Sequence, residues 1–240
     1  MTKTLSPKDA ARLVAALQRH DELSHQRVEG GDLPPEMEML RAWQARRLSR
    51  TYADFLADKR YEPACRFFLD DIYAPKDFTQ RNTDIVRIHN FMMKFIPPRA
   101  LKTLTLAIEL NNLTEALDAR LLQTLLEDVG VTDSISAEQY AEAYRLCDNY
   151  DDRVKQIDMI VAIGRDLEKL VRHRVIGWTL RLARGPAYRA GWNELQDFLE
   201  HGFTAFRLMG KADRFLNAIH GREMKILDNI YGKTPNPFDI

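Results

Sequence analysis

Apolar residues recur every three or four positions along almost the whole chain, and strict alternation of polar and apolar residues is missing. That spacing gives each helix an apolar stripe and predicts no sheet. A first helix opens at Ser6-Pro7-Lys8-Asp9, where Ser6 caps, Pro7 fits the first turn and Asp9 completes a capping box, and it ends by Gly30-Gly31. A second helix carries Met37, Leu40, Leu48, Tyr52 and Phe55 on one side until Glu62-Pro63 interrupts it. A short aromatic helix from Ala64 to Tyr73 leads into a turn, and Asp77 with Gln80 caps a further helix that runs to about Ile96. Pro97-Pro98 then starts the most apolar helix. Leu101, Leu104 and Ile108 form one stripe on it, and Leu106, Leu110, Leu113, Leu117 and Leu121 form another, which marks it as the central helix.

Gly130 to Ser134 reads as a loop, Ser136 with Gln139 as the start of the next helix, and Asp148 to Asp152 as a break or kink. Ile157, Ile160, Leu167 and Leu170 follow, and Gly185-Pro186 is expected to break the run again. Trp192, Leu195, Leu199, Gly202, Phe206 and Met209 then repeat at the spacing of a helix-packing seam, which serves packing within the chain or a homodimer equally well. A last helix from about Ala212 to Tyr231 stops at Gly232. With no fixed-period repeat and no long Gly/Ser/Pro linker, the expected fold is all-α: one compact bundle of about eight to ten helices over residues 1–232, with an irregular tail at 233–240.

The composition, 45% hydrophobic and 29% charged, suits a folded globule and excludes the disordered class. Lysine plus arginine and aspartate plus glutamate each number 35, so no overall field draws the chain to nucleic acid or to an anionic membrane. Any such attraction is local. Cys65 and Cys147 lie outside zinc or CxxC spacing and read as reduced, buried apolar residues. The N-terminal residues lack a secretory apolar stretch, and no run approaches the ~20 apolar residues of a membrane span, so cytoplasm is the expected location.

The segment from Leu40-Arg41-Ala42-Trp43-Gln44 through Arg47-Leu48, Thr51-Tyr52-Ala53-Asp54 and Arg60-Tyr61-Glu62-Pro63-Ala64 continues into Phe67-Phe68-Leu69-Asp70-Asp71-Ile72-Tyr73 and Asp77-Phe78. It resembles a family of uncharacterised bacterial all-helical proteins with no assigned activity. The family's pattern after the tyrosine resembles Asp-Phe-x-x-Arg-Asp; Asp77, Phe78 and Arg81 match, while Asn82 stands in place of the acid. The resemblance implies a bacterial cytoplasmic protein and supplies no reaction. Read physically, Asp71, Tyr73, Asp77 and Arg81 form a polar constellation at a corner between helices, able to bind a ligand or to brace that corner.

The strongest functional signal is basic. Lys169 to Arg189 carries Arg172, Arg174, Arg181, Arg184 and Arg189 with no acidic residue, interleaved with Val175, Ile176, Trp178, Leu180, Leu182 and Tyr188. Such a segment suits a phosphate, an anionic ligand, a lipid surface or an acidic protein partner, or else a buried helix whose arginines splay to solvent. A carboxylate–histidine metal site is the alternative, built from Glu109, Glu194, Asp197, His201, His220 and Glu223, although the Glu-x-x-His motif of di-iron bundles never occurs. Glu109, set among Leu106, Ile108 and Leu110, should either emerge at a surface or meet an arginine. His20, His25, His89 and His173 read as surface residues. No nucleophile elbow, phosphate loop or dinucleotide fingerprint is present. The expectation is therefore a non-enzymatic interaction or regulatory protein, with no cofactor identified.

Overall fold

The computed structural model describes residues 6–27, 34–72, 93 and 96–240. Ten α-helices and one π-helical turn make up the described residues, and no strand occurs among them. They are α1 (Pro7–Arg27), α2 (Pro35–Thr51), α3 (Ala53–Ala57), α4 (Glu62–Arg66), the π turn (Phe67–Ile72), α5 (Pro98–Glu127), α6 (Ala137–Leu146), α7 (Tyr150–Val171), α8 (Arg174–Arg189), α9 (Asn193–Met209) and α10 (Asp213–Tyr231). The chain is an all-α bundle.

Local signals set several of these boundaries. Ser136 accepts from the Gln139 backbone N–H at 3.2 Å while the Gln139 side chain accepts from the Ser136 N–H at 3.0 Å, so the capping box of α6 is complete. At α1, Ser6 Oγ accepts from the Asp9 N–H and donates to the Asp9 carboxylate at 2.6 Å, a variant of the expected box. Other boundaries differ from the pattern. The second helix stops at Thr51 because Tyr52 leaves helical geometry (φ −112°, ψ 22°) to send its fully buried ring inward. Pro63 sits in the first turn of α4, where its missing N–H costs nothing. Phe67, Phe68 and Leu69 are all buried, and the wider π winding lets three consecutive apolar residues face the core. Gly185-Pro186 does not break α8: Pro186 lies in its last turn, and the chain turns instead at Gly191, with φ 81°.

Helix α5 packs on α1 and α7, α7 packs on α10 and α9, and α8 lies along α9. Both expected stripes of α5 are used, with Leu101, Leu104, Leu110, Leu117 and Leu121 buried. The largest core cluster joins Tyr52, Phe55, Phe68, Phe206 and Phe215 across α3, the π turn, α9 and α10. The seam on α9 packs within the chain: Leu195, Gly202, Phe206 and Met209 are buried, and a Cβ on Gly202 would come within 2.6 Å of the Phe67 ring.

Two expectations about single residues are corrected. His20 is a core residue, 5% exposed, held between α1 and α5 with its Nδ1 3.2 Å from Asn112 Oδ1. Cys65 is buried as expected, but Cys147 is only half-buried, with its thiol 3.6 Å from Thr124 Oγ1. The tail after Tyr231 forms no helix, and its Phe238 packs edge-on against Trp43 and Tyr140.

Candidate functional site, an arginine-lined groove

The basic segment is not one helix. α7 ends at Val171, His173 takes an extended conformation, and α8 restarts at Arg174. Leu170, Val171 and Ile176 tuck into the core around this corner while Arg172, His173 and Arg174 are turned out to solvent. Along α8 the buried positions Ile176, Ala183 and Ala187 hold the helix to the bundle. Gly177 permits its close approach to α9, since a Cβ there would meet the Phe203 ring at 2.8 Å.

Beside that contact the two helices leave a groove of about 650 Å³. Arg172, Arg174, Trp178 and Arg181 line one side, and Glu200, Phe203, Thr204 and Arg207 the other. Its charge is largely uncompensated. Arg172 bonds Glu168, one helical turn back. The lone acid of the groove, Glu200, already accepts from Gln196 Nε2 at 2.8 Å and faces Arg184 at 3.6 Å. Arg184 also stands 4.0 Å from Asp197, which accepts the Tyr188 hydroxyl at 2.6 Å. Hydrogen bonding to Tyr188 and the nearby Glu200 carboxylate raise the Arg184 pKa above its ordinary value. Arg174, Arg181 and Arg207 form no ion pair among the described residues.

The sequence profile of one family, described as a domain of unknown function (DUF8198), matches residues 23–237. The chain belongs to that family. No curated protein and no solved structure matches it. The DUF8198 match takes in the end of α1 and everything from α2 to α10, so the groove lies wholly inside it.

Of the basic candidates, the DUF8198 fold brings Arg172, Arg174 and Arg181 together and directs Arg184 elsewhere. Arg207 was missed. Its signal was available: Glu200, Phe203, Thr204 and Arg207 repeat at helical spacing on the side of α9 away from the seam. Asp71 falls in the π turn, and Tyr73, Asp77 and Arg81 lie outside the described residues.

The residues of the alternative metal site do not converge. Glu109 meets Arg12, whose Nε lies 2.6 Å from Glu109 Oε1, as its apolar surroundings required. Glu194 and His201 are exposed on α9, Asp197 serves Tyr188, and His220 Nε2 lies 3.3 Å from Asp158. Glu223 turns into the core. Among the described residues, no group of three or more metal-ligating side chains forms.

A second polar constellation lies inside the bundle. Glu223 on α10 accepts both from Arg47 on α2, at 2.7 and 2.8 Å, and from the Tyr52 hydroxyl at 2.8 Å. Nearby, Gln44 donates to Asp118 at 3.0 Å, Arg153 donates to Gln156 at 3.2 Å and lies over the Tyr144 ring, and Gln156 donates to Thr114 at 2.8 Å. Burial pushes the Tyr140 hydroxyl pKa up and the Arg41 pKa down. The space left among these groups is about 20 Å³, room for roughly one water. These groups bond one another across helices and leave almost no room, which suits bracing five helices rather than holding a ligand. The Nε atoms of Arg41, Arg47 and Arg153 stay buried without a hydrogen bond among the described residues.

Proposed function

We propose that the chain is a non-enzymatic binding protein whose α8–α9 groove receives the anionic group of a ligand or of a protein partner. The observation that carries this reading is the set Arg174, Arg181 and Arg207, three cations lining one cavity, none of them in an ion pair among the described residues. Guanidinium groups in that position gain most from an oxyanion, because each adds charge-assisted hydrogen bonds. Trp178 and Phe203 on the groove walls add apolar surface and an aromatic face. A bacterial, cytoplasmic setting and a single domain over residues 1–232 belong to the same proposal.

Pyrophosphate is a suitable probe of the groove. Titrated into the protein at low ionic strength, it is expected to change the fluorescence of Trp178, with Trp178→Phe identifying the signal against the other two tryptophans. The affinity should fall steeply with added salt, as exposed charges are screened over ~10 Å at 0.1 M. Absence of a saturable response in both fluorescence and calorimetry would remove the reading.

A further inference from the structure

Five of the eight most exposed large apolar side chains among the described residues sit on the two helices that form the groove: Val175, Trp178, Leu182 and Tyr188 on α8 and Leu208 on α9. Val175, Trp178 and Leu182 follow one another at helical steps of three and four and are 70%, 66% and 56% exposed. At ~100° of rotation per residue they stand on the side of α8 turned away from buried Ile176, Ala183 and Ala187. Arg174 and Arg181 flank Trp178 on the same outer side, and Leu208, 64% exposed, follows Arg207 on α9. The cations thus lie between two apolar lips.

We infer that this face docks on an anionic phospholipid surface, with lipid phosphates held by Arg174, Arg181 and Arg207 and with Val175, Trp178, Leu182 and Leu208 entering the interfacial layer. The inference rests on the groove being an anion site. Two features favour a lipid surface over an acidic protein segment. The apolar groups project from the rim, where shallow insertion uses them, whereas a helix lying in the groove would leave Val175 and Leu182 in water. Tryptophan and arginine are also the side chains whose apolar bodies and polar ends suit the boundary between headgroups and hydrocarbon. No helix of the described chain is long and apolar enough to cross a membrane, so contact of this kind is peripheral and reversible.

The test uses the full chain and cosedimentation with phosphatidylcholine vesicles, with and without phosphatidylglycerol. Binding is expected only to the anionic vesicles, with a blue shift in fluorescence that Trp178→Phe abolishes and with release by salt. Arg174→Gln/Arg181→Gln/Arg207→Gln should weaken vesicle binding on the order of a hundredfold, at about fivefold per arginine. Leu182→Ser should weaken vesicle binding several-fold and leave pyrophosphate affinity unchanged, and circular dichroism reports whether each variant keeps its helices. Pyrophosphate binding without vesicle binding would overturn the lipid inference, leave the anion site standing and point to an acidic protein partner. Vesicle binding that survives the triple substitution would also overturn it. Failure to bind either probe would remove both readings.

Discussion

Arginine occupies two opposite settings in this chain. Inside the bundle, Arg47 has a side chain only 11% exposed and meets Glu223, itself 7% exposed, while Arg153 is buried against Gln156 and Tyr144. At the α8–α9 groove, Arg174, Arg181 and Arg207 are exposed and form no ion pair among the described residues. The buried arginines answer to the fold, because a guanidinium removed from water is costly unless acids or other acceptors take most of its donors. The groove arginines answer to nothing in the bundle. Water solvates them at no cost to stability, and three together on one cavity create a field that an outside anion can use. Position relative to an acid, rather than residue type, separates the arginines that brace the bundle from those left to solvent.

The sharpest break of this comparison is Glu223→Ala, which leaves Arg47 buried without its acid and costs about 3–5 kcal/mol. Urea unfolding should show the loss as a lower midpoint, and a change within error would mean that the polar core braces nothing. Next comes Gly177→Ala, placed where the groove meets the core. Its Cβ must displace the Phe203 ring, 2.8 Å away, so overpacking costs about 1–3 kcal/mol and reshapes the groove wall. It should lower both the urea midpoint and pyrophosphate affinity, unlike any other substitution considered.

A third arginine sharpens the contrast from between the extremes. Arg222 meets Asp54 through two bonds, at 2.7 and 2.8 Å, but the Asp54 side chain is 49% exposed. The Arg222 guanidinium holds the Asp54 carboxyl below its usual pKa. A lowered carboxylate pKa stabilises the fold above the ordinary value of about 4, and that stabilisation is lost as pH falls through the lowered one. Asp54→Asn should therefore cost less than about 1 kcal/mol at neutral pH, and its deficit against the parent should vanish in acid. A deficit independent of pH would mean that the pair's charge does not contribute.

Much of the helical frame was legible because it is local. The capping box at Ser136 and Gln139, the stop at Gly232 and the seam from Trp192 to Met209 each depend on neighbours within one or two turns. Glu109 was legible as a residue in need of an arginine, though Arg12 itself was not, being 97 residues away. The polar core was hidden for the same reason: Arg47 and Glu223 are 176 residues apart, and nothing near either one announces the other. Pro186 misled because a proline in a last turn forfeits a single intrahelical bond, the one its N–H would have made to the carbonyl of exposed Leu182. His20 misled because its partners lie on α5, not on its own helix. Of the candidate site, the arginines of α8 were visible as a charge run without acids. The corner at His173 that divides the run, and Arg207 that completes the groove, follow from how α8 lies on α9.

The most direct test pairs two readouts on one protein, Arg174→Gln/Arg181→Gln/Arg207→Gln: the urea midpoint and the pyrophosphate titration. The account predicts stability within about 0.5 kcal/mol of the parent, as for surface substitutions in general, together with loss of saturable binding. A marked fall in stability, or binding that persists unchanged, would contradict it.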